Sequence, residues 1–200
     1  MKSIKNINSI VLPLNRADVD TDQIMPKQYL KRIERSGYGP FAFDEWRKDP
    51  NFVLNDKRFE NAEILLAQRN FGSGSSREHA VWGLEDLGIK AVIAPSFADI
   101  FNSNCGKVGI LCIQLEQNEV DALMSIAESS DGLNLEINLE KQVIIDAKQS
   151  TELKFSIDDF LKHRLINGLD DIGITMQREE LINKFEDDRK DFYPSTKTII

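Results

Sequence analysis

Residues 63–129 alternate three short apolar runs with three helical patterns, and this alternation constrains the fold more than any other feature of the sequence. Strands that are apolar throughout, such as AVIA, suit a sheet that is covered on both faces. The sequence therefore predicts an α/β fold in which helices cover a sheet. The predicted strands are Ile64–Ala67, Ala91–Ala94 and Gly109–Leu115, and the predicted helices are Ser76–Leu87, Phe97–Asn102 and Glu119–Ser129.

The segments on either side of this alternation predict further strands. Residues Ser9–Leu14 have the alternation and β-branched content of a strand. Leu133–Asn138 and Gln142–Asp146 alternate around a short polar turn and predict a hairpin. A hairpin is antiparallel, so the sheet is expected to be mixed.

The remaining helices are predicted from caps and periodicity. Pro26 suits the first turn of a short helix, and a C-terminal helix near Ile157–Ile166 ends at Gly168. A second helix is predicted near Thr175–Phe185, and the charged residues 186–200 are expected to form a loosely held tail. A chain of 200 residues is short for two independent cores, so residues 1–200 are expected to form one domain.

The composition excludes several classes of protein. A formal charge of −8 gives no overall attraction to nucleic acid or to an anionic membrane. The N-terminal apolar run Ile10–Leu12 is broken by Pro13, far short of a signal-peptide core, and no segment reaches the length of a membrane span. A cytoplasmic protein is therefore expected. Cys105 and Cys112 form no Cys-x-x-Cys pair, which favours two buried free thiols over a zinc ribbon or a disulfide framework.

The acidic stretch DVDTD, residues 18–22, begins like a calcium loop but does not continue as one. Gln23 stands where the EF-hand turn needs glycine, and Tyr29 stands where the bidentate glutamate belongs. The alternative is a loop whose aspartates form Asx turns and cap the next helix. Further along, the aromatic residues of Ser36–Trp46 predict an ordered connection, either a lid or a specificity loop.

The stretch NFGSGSSREHA, residues 70–80, has two interpretations that the residues alone leave open. Ser75 and Glu78 fit a capping box at the start of a helix. The same stretch also has the parts of an anion site, because glycines expose backbone amides, the helix N-terminus favours negative charge, and Arg77 offers a fork to a carboxylate or phosphate. The stretch matches neither the glycine-rich fingerprint of dinucleotide-binding proteins nor the P-loop, and it lacks the Gly-x-Ser-x-Gly elbow of serine hydrolases.

Three longer strings resemble one known family. GSGSSREHAVWGLEDLGIKAVIAPSFADIFNSNCGKVGIL is similar to the swivelling domain of the aconitase superfamily. DVDTDQIMPKQYLKRIERSGYGPFAFDEW and NGLDDIGIT resemble the bacterial small subunits of 3-isopropylmalate dehydratase. The resemblance runs from about residue 10 to residue 175 and implies a three-layer β/β/α swivelling fold.

The resemblance also implies roles for residues of the NFGSGSSREHA stretch. Ser75 matches the catalytic serine that abstracts a proton, and Ser76 and Arg77 match neighbours that bind a substrate carboxylate. A serine can act in this way only if nearby positive charge stabilises its alkoxide, which the helix terminus and Arg77 can supply. His79 lies one turn inside the helix and is expected to be a packing residue rather than an acid or base.

Four further residues are implied as substrate-binding. Asp22 and Lys27 match positions that line the same cleft, where they orient Arg77 or the substrate. The segment Tyr29–Ile33 resembles the loop that selects the substituent at the far carbon of the substrate. Leu30 and Ile33 suit an isopropyl group, because such a group makes no hydrogen bonds and is recognised by burial alone.

The implied reaction is the interconversion of 2-isopropylmalate and 3-isopropylmalate by dehydration and rehydration in leucine biosynthesis, a hydro-lyase reaction. The family uses a [4Fe-4S] cluster held by three cysteines, and a chain with two cysteines cannot hold it. The cluster is therefore expected on a large subunit, in a heterodimer or heterotetramer that alone is active. The alternatives are a small subunit that acts on citraconate, methylmalate or homoaconitate, and a free-standing anion-binding domain without catalysis.

Overall fold

The computed structural model describes residues 1–74, 77–146, 148–149 and 151–189. Its centre is a seven-stranded mixed sheet with the strand order β4-β3-β2-β1-β5-β6-β7. The strands are β1 (Asn6–Leu14), β2 (Ile64–Ala67), β3 (Ala91–Ala94), β4 (Leu111–Gln114), β5 (Asn134–Asn138), β6 (Val143–Asp146) and β7 (Thr151–Lys154).

Helices pack around the sheet, and most of the segments that connect helices and strands are short. The α-helices of the described residues are α1 (Thr21–Ile24), α2 (Asp44–Arg47), α3 (Glu78–Asp86), α4 (Asp99–Val108), α5 (Gln117–Ala127), α6 (Asp159–Asn167), α7 (Asp171–Met176) and α8 (Glu179–Asp187). Short 3-10 helices lie at Lys27–Lys31, Gly39–Phe41, Val53–Asn55 and Lys57–Phe59.

Strand β1 joins two halves of the sheet that differ in direction. Its C-terminal residues Val11–Leu14 pair in parallel with β2, which pairs in parallel with β3, and β3 pairs in parallel with β4. Its N-terminal residues Asn6–Ile10 pair with β5 in the antiparallel direction, and β6 and β7 continue that half. The predicted mixed sheet is therefore confirmed.

The parallel half of the sheet is buried on both faces. Leu65 of β2 packs in a core with α3 and α4, while its neighbour Ile64 packs in a second core with α5, α6 and the antiparallel strands. Successive residues of a strand point to opposite faces, so an all-apolar strand is what this position in the fold requires. The expected α/β fold with a mixed sheet and covering helices is confirmed, with α3 and α4 on one side of the parallel half and α5, α6 and the antiparallel strands on the other.

The structure corrects the strand boundaries at three places. Strand β1 starts at Asn6 rather than Ser9, because its first residues pair with β5 from Asn6 opposite Asn138 to Ile10 opposite Asn134. Strand β4 starts at Leu111, two residues later than predicted, because Gly109 with φ of 104° ends α4. Strand β7 has no apolar alternation in TELK and was not predicted; it pairs with β6 at the edge of the sheet.

Two helices also differ from their predictions. Helix α4 runs to Val108, six residues beyond the predicted end, because tertiary packing outweighs the low helix propensity of its asparagines and glycine. The predicted helix Thr175–Phe185 is two helices, α7 and α8. Helix α7 starts early because the Asp170 carboxylate accepts a hydrogen bond from the Gly173 amide at 2.7 Å. At its end the Thr175 hydroxyl donates to the Asp171 carbonyl, a bond that weakens a helix.

The connection Ser36–Trp46 is ordered, as predicted. Tyr38 and Phe43 are buried, with 0% and 1% of their surfaces exposed. The Tyr38 amide donates to the Asp86 carboxylate at 2.6 Å, and the Phe43 amide donates to the Ile24 carbonyl at 2.8 Å. These contacts tie the connection to α1 and α3, so its aromatic side chains are part of the core.

Within the described ranges, no helix combines the length and the apolar character that crossing a membrane requires. Of the tail predicted at residues 186–200, the structure describes residues 186–189, and α8 extends to Asp187. Residues 190–200 lie outside the described part of the chain.

Candidate active site

The candidate site lies where the parallel strands β1, β2 and β3 end at one edge of the sheet. Three loops follow these strands, and their described residues are 15–20, 68–74, 77 and 95–98. Backbone hydrogen bonds join the loops, from the Thr21 amide to the Ser73 carbonyl at 2.9 Å and from the Phe71 amide to the Ser96 carbonyl at 3.0 Å. The carboxyl edge of a parallel sheet is the usual place for a ligand in α/β proteins.

Asn70 connects all three loops and was not identified from the sequence. Its side-chain amide donates to the Asp18 carboxylate at 2.9 Å, and its backbone amide donates to the Ser96 hydroxyl at 2.8 Å. Both Asn70 and Asp18 have a positive φ, 57° and 56°, a conformation that asparagine and aspartate tolerate better than most residues. The sequence signal that could have identified Asn70 is an asparagine just beyond the end of a buried strand, where a loop residue with positive φ can link its neighbours.

Arg77 and Asp22 form an ion pair although 55 residues separate them in the chain. The Arg77 side chain is 23% exposed and that of Asp22 is 51% exposed. The contact uses Nη1 of Arg77, and a guanidinium has five N–H donors, so the fork retains donors for a second anion. The structure thus brings together the two residues that the resemblance places in one cleft.

The other aspartates of the DVDTD stretch have structural partners. Asp20 caps α1, since its carboxylate accepts from the Gln23 amide at 2.7 Å and its own amide donates to the Gln23 side chain at 2.9 Å. This confirms the cap alternative for Asp20. Asp18 contacts Asn70 and, at 3.7 Å, Arg69. Among the residues that the structure describes, no group of three or more His, Cys, Asp or Glu side chains is arranged to hold a metal ion.

The capping box predicted for Ser75 and Glu78 is wrong. Helix α3 begins at Glu78, and the N-cap residue is Arg77, whose φ of −133° and ψ of 113° are extended. Glu78 is therefore the first helical residue and not the third, which the box requires. Among the described residues no side chain caps this helix start, and Arg77 directs its side chain to Asp22. Ser75 and Ser76 themselves lie outside the described residues.

A cavity of about 210 Å³ opens beside Arg77. Two of its lining glycines, Gly72 and Gly74, have φ of 77° and 87°, which a residue with a side chain rarely adopts. At Gly72 there is also no space, because an added Cβ would overlap Cγ and Cδ1 of Phe101. The described lining residues are Thr21, Gly72, Gly74, Arg77, Ala98, Asp99, Ile100 and Phe101.

Lys27, Leu30 and Ile33 are not among the described residues that line this cavity. They follow α1 along the chain, with Lys27 and Leu30 on the 3-10 helix Lys27–Lys31. Leu30 packs partly against the core, while Ile33 is 97% exposed. Tyr29 holds this segment, since its ring stacks on Phe41 at 4.3 Å. The predicted role of these residues in substrate selection stays a prediction.

His79 packs against aromatic rings. Its ring lies 4.5 Å from that of Trp82 and 5.4 Å from that of Tyr38, in an edge contact with the latter. Burial lowers the pKa of His79, an effect that neighbouring Glu78 opposes and Arg77 reinforces. A neutral imidazole between two rings supports the predicted packing role.

The cysteines of this chain do not fit a three-cysteine iron–sulfur cluster. Cys105 lies in α4, is fully buried and contacts Cys112 of β4. Burial and this contact raise the pKa of the Cys105 thiol, whereas a cluster ligand is a thiolate. The pair lies inside the helix-facing core and supplies two sulfur atoms where three are needed.

Two family models match the chain. The aconitase C-terminal domain matches residues 1–118. The C-terminal domain of the 3-isopropylmalate dehydratase small subunit matches residues 171–196. The first match covers the three loops of the candidate site, and the second covers α7 and α8.

Curated relatives and a solved structure agree with these matches. A 3-isopropylmalate dehydratase small subunit of Acidobacterium capsulatum is 49% identical over 93% of this chain and 90% of its own length. One of Rubrobacter xylanophilus is 47% identical over 97% of this chain and 98% of its own. The crystal structure of 3-isopropylmalate dehydratase from Methanocaldococcus jannaschii is 30% identical, covers 90% of this chain and 98% of its own, and has a TM-score of 0.68. The chain belongs to the family of 3-isopropylmalate dehydratase small subunits, within the aconitase superfamily.

Proposed function

We propose that this chain is the small subunit of a hydro-lyase that interconverts 2-isopropylmalate and 3-isopropylmalate by dehydration and rehydration in leucine biosynthesis. The observation that carries the proposal is the 47–49% identity to small subunits of this name over at least nine-tenths of the chain. The site geometry supports it, because an arginine at the carboxyl edge of the sheet suits a dicarboxylate substrate.

In this proposal Arg77 binds a substrate carboxylate. Asp22 fixes one side of the guanidinium, and the donors that this contact does not use face the substrate. The start of α3 supports the same charge, since the positive end of the helix dipole lies next to Arg77. Gly72 and Gly74 allow the loop to adopt the positive φ with which it turns along the edge of the cavity.

Ser75 is the proposed catalytic residue, and Ser76 is a proposed substrate-binding neighbour. Ser75 would remove the proton on the carbon next to a carboxylate, and during rehydration it would return a proton there. A serine hydroxyl is a weak base at neutral pH, so this role needs a positive environment. Arg77, two residues further along the chain, and the amino end of α3 supply that environment.

The substrate's isopropyl group is proposed to contact Leu30 and Ile33, with Lys27 near the substrate carboxylates. Ile33 is almost fully exposed in this chain, so a bound substrate or a second subunit would have to cover it. An isopropyl group can be recognised only by apolar contact, because it neither donates nor accepts a hydrogen bond. The segment Lys27–Ile33 is therefore where we expect selection between substrates of this class.

The proposal places the [4Fe-4S] cluster on a large subunit, because the cysteines of this chain do not fit it. When bound there, the cluster supplies the Lewis acid of the dehydration. The active assembly is then a heterodimer or heterotetramer in the cytoplasm. The single continuous sheet supports one swivelling domain in residues 1–200 as this chain's share of the assembly.

Reconstitution tests the proposed function. The purified chain alone should show no dehydration of 2-isopropylmalate, and adding the anaerobically purified large subunit of the same organism should produce it. The measurement is ultraviolet absorbance of the carbon–carbon double bond, which rises when 2-isopropylmalate or the alternative substrate methylmalate is dehydrated and falls when the alternative substrates citraconate and homoaconitate are hydrated. Turnover of citraconate without any turnover of isopropylmalate would contradict the substrate assignment, and tight phosphate binding without a need for the large subunit would favour the anion-binding domain.

An Arg77→Lys variant should raise the Michaelis constant about 10- to 100-fold, since a lysine loses the planar fork and one charge-assisted hydrogen bond. Steady-state kinetics of the reconstituted enzyme measure this. Arg69→Lys is the matched control, because Arg69 is an exposed arginine of the same loop that pairs loosely with Asp18. An unchanged Michaelis constant in Arg77→Lys, or equal effects in both variants, would contradict the role of Arg77.

A further inference from the structure

Helices α7 and α8 present apolar side chains that the described residues of this chain leave exposed. Neither helix has a buried residue, and neither contributes to the two hydrophobic cores. The side chains are spaced four residues apart, which places each pair on one side of its helix. The exposed fractions are 73% for Ile172, 50% for Met176, 65% for Leu181 and 69% for Phe185.

These helices are too short to be stable without packing. Helix α7 has six residues and α8 has nine, and isolated helices below about 12 residues are marginal in water. The start of α7 is anchored, since Asp171 pairs with the buried Arg164 at 2.8 Å and Asp170 caps the helix. The anchor fixes where the segment leaves the domain, but a partner surface is needed to hold the rest of it.

The net negative charge of residues 170–189, the segment that contains α7 and α8, indicates which kind of partner surface it fits. Residues 170–189 contain seven acidic and three basic residues, and five of the acidic ones flank the apolar side chains of α8. A second copy of this chain would bring two such segments, each with an excess of negative charge, against each other. A surface with an apolar groove and a rim of lysine and arginine matches the segment in both respects.

The family models separate this segment from the rest of the fold. The match to the general aconitase model ends at residue 118, whereas residues 171–196 match a model of the C-terminal domain of the dehydratase small subunit. A domain that is a separate chain must be held to its partner by contacts, since no linker does so. This favours the cluster-bearing subunit as the occupant of the surface.

We propose that α7 and α8 dock their apolar sides, Ile172 and Met176 on α7 and Leu181 and Phe185 on α8, into an apolar groove with a basic rim on the large subunit. The proposal rests on the proposed function, since it assumes that the large subunit is this chain's partner. The docking surface holds the two subunits together and is distinct from the residues of the candidate active site.

Binding of full-length variants to the purified large subunit tests the docking surface. Phe185→Asp and, separately, Leu181→Asp should each raise the dissociation constant about 100-fold, as expected when a buried apolar anchor is lost. Asn183→Asp is the matched control, because it adds the same charge on the opposite side of α8, where binding should change little. Interferometry measures the constants, and wild-type binding should weaken from about 0.05 to 0.3 M salt. All variants should keep the wild-type Tm, since the substituted side chains are exposed.

The outcomes separate the docking proposal from the proposed function. If the reconstituted wild type is active and Phe185→Asp binds as tightly as Asn183→Asp, the docking surface is wrong and the function stands. If the wild-type chain alone sediments as a dimer that Phe185→Asp dissociates, the occupant is a second copy and the docking proposal is overturned. If the wild type neither binds the large subunit nor gains activity with it, both proposals fail.

Discussion

A Ser75→Ala variant of the reconstituted enzyme is expected to lose about 10²- to 10⁴-fold in kcat while it still binds 2-isopropylmalate. The proposed interaction is made when the proton is transferred and contributes little to ground-state binding, so kcat should fall far more than the Michaelis constant changes. Rates come from product absorbance at saturating substrate, and binding comes from calorimetry with the inactive variant.

The control for this variant is Ser73→Ala in the same loop. The Ser73 hydroxyl lies 3.5 Å from the Asp18 carbonyl, and its loss should leave kcat within a few-fold of wild type. The helix-cap explanation for Ser75 no longer competes, because α3 begins at Glu78 and cannot contain the predicted capping box. A Ser75→Ala enzyme that turns over at a rate near that of wild type would rule out the catalytic role.

A Gly72→Ala variant is expected to lose about 2–5 kcal/mol of folding stability. The positive φ costs about 1–2 kcal/mol for a residue with a side chain, and overpacking adds about 1–3 kcal/mol. The new methyl group would overlap the ring of Phe101, which is 3% exposed and packs edge-on against Phe71. For a chain of this size the Tm should fall by about 5–15 °C, and calorimetry measures it.

Gly88→Ala separates backbone strain from the overlap. Gly88 has a φ of 90°, close to that of Gly72, but an added Cβ there has nothing within 4 Å. It should therefore cost only the strain, about 1–2 kcal/mol. Equal losses in the two variants would show that Phe101 moves aside freely and that the loop does not depend on this close approach.

The buried strands could be predicted from local sequence. Ile64–Ala67 and Ala91–Ala94 have the predicted boundaries, because a strand buried on both faces needs an apolar residue at every position. Arg77 and Asp22 were predicted as site residues because short segments of the sequence resemble a known family. Such a resemblance implies which residues take part but not how far apart they lie. Strand β7 could not be predicted, since an exposed edge strand needs no apolar alternation.

The predictions that failed depend on contacts between distant residues. The capping box at Ser75 matched a local pattern, but Arg77 is held in an extended conformation beside Asp22, and α3 starts after it. The extent of α4 depends similarly on burial, since Gly106 lies against Leu161 of α6, where an added Cβ would be 2.8 Å from the leucine side chain. Low local helix propensity does not reveal such packing.

The sequence by itself indicated which residues to propose for the chemistry, since the glycine- and serine-rich loop before Arg77 has the parts of an anion site and resembles the aconitase family. It also determined the alternation of strands and helices, because periodicity and burial are local properties of the chain. Only the tertiary structure decided that Asp22 meets Arg77, that Asn70 joins three loops, and that α7 and α8 leave an apolar face exposed. Those arrangements follow from the parallel pairing of β1, β2 and β3, which brings together loops that are distant along the chain.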